Sequence, residues 1–486
     1  MPAMNRTTLI LSSAALLLVA ALVVGLPQGN HLPAPLQNPQ PQPPPQPQPP
    51  TPVAPPMQLG GALSMTGRLS HPFIAPGVSD VFATLEVAAI DVPGAKRAPV
   101  NLALVIDRSG SMAGAKIEQA RLAALRLVDL LDEHDRLALV HFGTDVRAVD
   151  GLFATPENKD RLRRAIRSLS ESGGTNISEG LAAGKAQLDV ARRDFRVNRL
   201  LLLSDGQPTV GLTSATGLAS LVATLRQSGL TVTSLGVGAD FNEDLMQRLA
   251  DVGGGSYGFI NDAAATADLF ERDLKQAGTM VARAVNLSFT LPEGVRFVEV
   301  YGRPVASVDA SGRQVSLTLP DFSAAQREKL VVHLTTNVTE RTGAIDLGRF
   351  QLAWDDLLAS RAGEASVALA AAITPDATVA RARRDKAAVV AVAKAQAAAN
   401  YRQAADAIAT EDFAAARLVM EKNDGLLRDA EALAGEGAVA DERAHNNQLF
   451  GLSVSAPSAA PEVRRQTVKQ MKVQSRKSSG SGASVY

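Results

Sequence analysis

Between residues 98 and 281 the chain repeats one unit: an apolar run of strand length, a turn, then a stretch with helical spacing. NLALVID is apolar almost throughout, as expected of a central parallel strand covered on both faces. Lys116–Leu131 then places Ile117, Leu122, Leu125, Val128 and Leu131 at helical intervals. Strand-like LALVHF, helical RLRRAIRSL and ISEGLAAGKAQL, strand-like RLLLLSD, helical LASLVATLRQ and strand-like TVTSLGVG follow. Residues 242–250 and 263–277 read as the last helices, with YGFI a short strand between them. This alternation predicts a doubly wound, Rossmann-like α/β domain over 98–281.

The pattern changes on both sides. After about residue 283 the helices stop, and VNLSFTLPEG, VRFVEVYG, RQVSLTLPD, KLVVHLTT and GRFQLAWDD are short alternating strands divided by Gly, Pro and Asp turns. In QVSLTLP, Val315, Leu317 and Leu319 form one face, which predicts a β-sandwich over 282–375. Before the α/β unit, Val81, Ala83, Leu85, Val87 and Ala89 alternate with more polar neighbours. A piece as small as 59–97 cannot fold alone, so its strands are expected to complete the sandwich and leave the α/β domain inserted between them. Residues 376–450 are Ala-rich and helical, read as a hairpin region with a short third helix. The stretch 451–486 carries Arg464, Arg465, Lys469, Lys472, Arg476 and Lys477 and reads as a disordered basic tail.

At the amino terminus Arg6 precedes an uncharged apolar stretch, residues 8–26, about the length of one membrane span. No Lys or Arg follows it until Arg68, which by the positive-inside rule places the body outside the cytoplasm, in the periplasm or cell envelope. Residues 1–26 are therefore a cleaved signal peptide or a retained inner-membrane anchor. Residues 27–58, with QNPQPQPPPQPQPPTPVAPP, form an extended Pro/Gln spacer. Lys+Arg and Asp+Glu balance at 49 each, which gives no support for specific nucleic-acid binding. The absence of cysteine excludes disulfides, thiolate metal sites and a cysteine nucleophile.

Two predicted strands end in aspartate. LVIDRSGSM carries Asp107, Ser109 and Ser111 into the following turn, and LLLLSDGQP carries Asp205. Ligands of a doubly wound sheet collect outside the carboxyl ends of its strands, so both aspartates are expected on one edge. SGGTNIS can present Thr175 there, since Gly173 and Gly174 permit a tight turn. Two carboxylates and three hydroxyls make a hard oxygen set suited to Mg²⁺ or Mn²⁺ rather than zinc.

At these residues the chain resembles the von Willebrand factor A domain family and its metal-ion-dependent adhesion site, D-x-S-x-S followed by a Thr and then an Asp. The resemblance covers about 100–281 and is complete at Asp107, Ser109, Ser111, Thr175 and Asp205. It implies that Ser109 and Ser111 ligate a divalent metal directly, and that Asp107, Thr175 and Asp205 do so directly or through water. It also implies that a partner protein's Asp or Glu carboxylate fills the last position. The wider layout is similar to exported bacterial proteins of this family and, more distantly, to inter-alpha-trypsin inhibitor heavy chains. Those heavy chains carry a larger amino-terminal domain than 59–97 can hold.

The resulting expectation is an extracytoplasmic, metal-dependent binding protein without catalytic residues. A structural envelope scaffold with a stabilising metal is the alternative, and a Mg²⁺-dependent phosphoesterase the remote one. His141 would be the only nearby base, and it reads as a packed core residue; Arg108 sits at a motif position expected to face solvent.

Overall fold

The chain enters with β1 (Gln58–Leu59), β2 (Leu63–Leu69), β3 (Phe73–Ile74) and β4 (Gly77–Ala89). These coordinates form a computed structural model, which describes residues 58–59, 61–94, 97–238, 240–260 and 263–479. The apolar stretch 8–26 and the Pro/Gln spacer as far as residue 57 lie outside the described residues, and Gln58 already belongs to β1. Among those described, no helix is long and apolar enough to cross a membrane.

The α/β domain contains β5 (Val100–Asp107), α1 (Ala115–Leu130), β6 (Arg136–Phe142), β7 (Val146–Phe153), α2 (Pro156–Arg167) and α3 (Ile177–Asp189). It continues with β8 (Val197–Ser204), α4 (Ala215–Gln227), β9 (Thr231–Val237), α5 (Glu243–Gly253), β10 (Gly254–Ile260) and α6 (Ala263–Gly278). Its sheet runs β10-β9-β8-β5-β6-β7, parallel except for β7. Every residue of β5 and β8 is buried, which is why their sequences lack polar alternation. Leu102, Leu104 and Ile106 pack on one face with Ala120, Leu127 and Phe270, whereas Ala103 and Val105 pack on the other with Leu181, Val222 and Leu249. Strand β7 was not foreseen in the sequence. It is a largely exposed antiparallel edge with no apolar alternation to announce it.

Eight strands follow: β11 (Met280–Thr290), β12 (Val295–Tyr301), β13 (Ser307–Val308), β14 (Gln314–Thr318), β15 (Phe322–Ser323), β16 (Arg327–Val338), β17 (Gly343–Asp356) and β18 (Arg361–Ile373). Strand β4 pairs antiparallel with β16 from Gly77↔Val338 to Ala88↔Arg327. The sandwich therefore consists of β1-β2-β4-β16-β12 packed on β13-β14-β11-β17-β18-β3, and it draws strands from both sides of the α/β domain. Val81, Leu85, Leu287, Phe289, Leu334 and Phe350 share its core.

The remaining helices are α7 (Ala377–Ala382), α8 (Lys386–Ala409), α9 (Phe413–Ala434), α10 (Ala440–Ser455) and α11 (Pro461–Ser478). This corrects two expectations. The helical region does not stop at residue 450, and 461–478 is a helix rather than a disordered tail. Met471 and Thr467 are buried, Met471 in the same core as Tyr401, Met420 and Leu449. The basic face of α11 is spent on the α/β domain: Lys472 Nζ lies 2.9 Å from Asp244, and Arg476 lies 3.3 Å from Asp251 and 4.6 Å above the Tyr257 ring. Lys469 sits 5.3 and 5.5 Å over Phe241 and Phe259. Buried Asn400, Asn423 and Asn446 form a hydrogen-bonded row across α8, α9 and α10.

Candidate metal centre

Strands β5 and β8 are neighbours in register, so Asp107 and Asp205 emerge side by side at the carboxyl edge of the sheet. Both are fully buried. Asp107 accepts the Ser109 amide at 2.9 Å and the Ser204 hydroxyl at 2.5 Å, so its carboxylate shapes the turn. Burial pushes the Asp107 carboxyl up to about 6; the bonds from Ser204 and Ser109 oppose that rise, and the nearby Asp205 charge adds to it.

Backbone hydrogen bonds hold three loops together at this edge. Gly110 N donates to Gly173 O at 3.0 Å and Ser172 N to Arg108 O at 2.7 Å, joining the loop after β5 to the one before α3. Thr175 N donates to the Thr209 hydroxyl at 2.8 Å, and Thr209 N returns a bond to Thr175 O at 3.0 Å, joining that loop to the one after β8. Asn176 then caps α3 by accepting from Glu179 N. The structure thus gathers all three segments that carry the five predicted residues. Ser109 and Thr175 are buried, and Ser111 is exposed at the rim.

Two observations test whether a divalent cation fits. Asp205 Oδ1 is buried without a hydrogen-bond partner among the described residues, a costly state for a carboxylate oxygen. The Ser109 and Ser111 hydroxyl oxygens lie 3.0 Å apart, close to the spacing of neighbouring oxygens in an octahedral shell with bonds of about 2.1 Å. No group of three or more His, Cys, Asp or Glu side chains suited to a metal occurs among the described residues, so a site here draws on hydroxyls. The donor set fits a hard cation.

The sequence reading missed Lys116. Its Nζ lies 3.1 Å from Asp205 Oδ2 and 2.8 Å from Asp240, so an internal ammonium meets one Asp205 oxygen and leaves the other unmet. The signal was available: a lysine in the first turn of α1 points back toward the helix start, where the strand ends lie.

Arg108 corrects an expectation, because it is buried rather than facing solvent. Its Nε donates to His141 Nδ1 at 3.0 Å, Nη1 to the Ser172 hydroxyl at 2.9 Å, and Nη2 to Asp145. It pins the loop carrying Ser109 to its neighbours. Burial and the Arg108 charge lower the His141 pKa, and the imidazole is held neutral with Nδ1 engaged.

The fold and this strand edge define a doubly wound α/β domain with an oxygen-lined site, set into a sandwich. Residues 101–272 match the von Willebrand factor type A domain, and the chain carries a domain of that family. An uncharacterized protein of Synechocystis sp. is 31% identical over 235 residues, 48% of this chain and 54% of that one. The uncharacterized protein YfbK of Escherichia coli is 33% identical over 192 residues, 38% of this chain and 32% of that one. Human inter-alpha-trypsin inhibitor heavy chain H3 is 33% identical over 159 residues, 31% of this chain. The matched stretch therefore spans 54%, 32% and 18% of these relatives' own lengths. Among solved structures, the von Willebrand factor type A protein from Catenulispora acidiphila superimposes with a TM-score of 0.64 at 20% identity, over 85% of this chain and 96% of that one. The ArnB paralog VWA2 from Sulfolobus acidocaldarius gives 0.55 at 17% identity, over 87% and 100%. These two likenesses establish the fold beyond the α/β domain. Domains of this family commonly hold a divalent metal at this edge and are typically interaction modules.

Proposed function

We propose that this chain is an extracytoplasmic binding protein that captures a partner protein's Asp or Glu carboxylate through a divalent cation, Mg²⁺ or Mn²⁺. Ser109, Ser111, Thr175, Asp107 and Asp205 would hold the ion, and the buried, unpartnered Oδ1 of Asp205 is the observation that carries the reading. Bound there, the ion would supply positive charge and an open coordination position to the incoming carboxylate. The protein's own residues do the arranging. Asp107 fixes the Ser109 amide, Arg108 clamps the loop from beneath, and Thr209 sets Thr175. Lys116 offsets part of the Asp205 charge.

Placement outside the cytoplasm rests on the apolar stretch 8–26 and the lack of nearby cations after it. Binding is favoured over hydrolysis because His141, the one candidate base, has its Nδ1 occupied by a guanidinium that opposes protonation.

Mn²⁺ paramagnetic resonance tests the assignment. Stoichiometric protein should remove the free-ion signal, Asp205→Ala or Ser109→Ala should restore it, and an Asp- or Glu-containing probe such as glutarate should perturb the bound ion. A free-ion signal unchanged by millimolar wild-type protein would overturn the proposal.

A further inference from the structure

Helix α11 reaches the back of the candidate metal centre through the loop between β9 and α5. Asn242 N of that loop donates to Asp205 O at 2.7 Å. Gly238, at φ +82°, lies flat on the aliphatic stem of Lys116, where a Cβ would come within 2.6 Å of Lys116 Cε. Asp240 then takes the Lys116 ammonium at 2.8 Å, while the same ammonium reaches Asp205 Oδ2 at 3.1 Å. One cation is thus divided between a loop carboxylate and a site carboxylate. The position of Asp240 decides how much of the Lys116 charge falls on Asp205.

Asp240 itself is exposed, so its neighbour Phe241 is what holds this end of the loop. The Phe241 ring lies across Gly236, where a Cβ would strike it, and stacks on Phe259 with centroids 5.1 Å apart. Over both rings sits Lys469 Nζ of α11, at 5.3 and 5.5 Å. That nitrogen is buried and has no hydrogen-bond partner among the described residues, so the ring faces are what meets its charge. Burial lowers the Lys469 pKa, and Glu243, Asp240 and Glu462 oppose the fall. Lys472, which binds Asp244 and also faces Asp406, and Arg476, which binds Asp251, fasten the same stripe of α11 along α5.

We propose that Lys469 is a positioning residue for the metal centre: by clamping Phe241 it keeps Asp240 on Lys116, and so keeps that ammonium from closing on Asp205. This role presupposes the metal centre proposed above. With α11 displaced, Asp240 is released and Lys116 is left to Asp205 alone, where an incoming cation must compete with it. Docking of α11 and metal binding therefore favour one another, by the same factor in each direction.

The test is Mn²⁺ titration of the full chain by paramagnetic resonance, with thermal unfolding in EDTA as the check on folding. Lys469→Met keeps the aliphatic reach and removes the charge. Coulomb's law alone predicts tighter Mn²⁺ binding once a nearby cation is gone. The positioning role predicts the opposite, binding about fivefold weaker, with Lys469→Arg restoring the wild-type affinity. In the Lys116→Met background, Lys469→Met should change nothing. Asp240→Asn, at an exposed position where folding is not at stake, should weaken binding in the wild-type background and much less beside Lys116→Met. Unchanged or tighter binding in Lys469→Met, or the same loss in the Lys116→Met background, would overturn the proposal and leave the metal centre standing. A wild type that takes up no Mn²⁺ would overturn the metal centre, and this role with it.

Discussion

Asp135 and Asp205 are fully buried carboxylates at opposite ends of the parallel strands of one sheet. Asp135, just before β6, accepts from Val100 N at 3.0 Å, Asp132 N at 2.9 Å, Arg97 Nη1 at 3.1 Å and Arg97 Nη2. Asp205, just after β8, meets Lys116 with one oxygen and, among the described residues, no donor with the other. The first is a joint that ties the entry of the domain together. The second carries the same desolvation cost without the same return, and an external cation is what would balance it. Burial alone does not separate architecture from function; the count of donors at each oxygen does.

That contrast can be broken most forcefully at Asp135. Asp135→Ala should cost about 3–5 kcal/mol, because it leaves two backbone amides without their acceptor and Arg97 with Asp132 alone. Denaturant unfolding with and without Mg²⁺ should show the same loss. A loss confined to metal-free protein would erase the distinction between the two ends.

A second test moves to the sandwich side of the chain, where His71 is a titratable group held neutral instead of paired. Burial, with help from Arg384, lowers its pKa from 6.5 to about 4. Since the folded value lies below the unfolded one, the contribution to stability is complete above pH 6.5 and is lost as pH falls toward 4. The loss should be no more than about 2 kcal/mol after solvent screening, and His71→Gln should flatten the slope between pH 6.5 and 4. An unchanged slope would mean that His71 is not the group titrating.

The smallest effect sharpens the functional end. Lys116→Met removes a positive charge 3.1 Å from Asp205 and should tighten Mn²⁺ binding by about tenfold, or ~1.4 kcal/mol, read by titration. Weaker binding in the variant would show that Lys116 helps to hold the site instead of competing for it.

Much of this site was legible because two of its segments follow strands that are buried on both faces. NLALVID and RLLLLSD have no polar alternation, so the aspartates mark where each strand leaves the core. Arg108 was not legible, because a lone basic residue beside a turn normally faces water; Lys116 could be placed near the strand ends from its position in the first turn of α1, but only the packing shows that it reaches Asp205. Strand β7 escaped for the opposite reason to β5: at an exposed edge, few of its side chains need to be apolar. Helix α11 read as a disordered tail because its partners are acidic and aromatic groups more than 200 residues away, Asp244, Asp251 and Tyr257, which make a basic stripe suitable for packing.

The most direct measurement is thermal unfolding of the full chain in EDTA and in Mn²⁺, wild type beside Asp205→Ala. At a hundred times the dissociation constant the wild type should gain about 2.7 kcal/mol, and the variant should gain nothing. An equal gain in both, or none in the wild type at millimolar Mn²⁺, would contradict a metal centre at this strand edge.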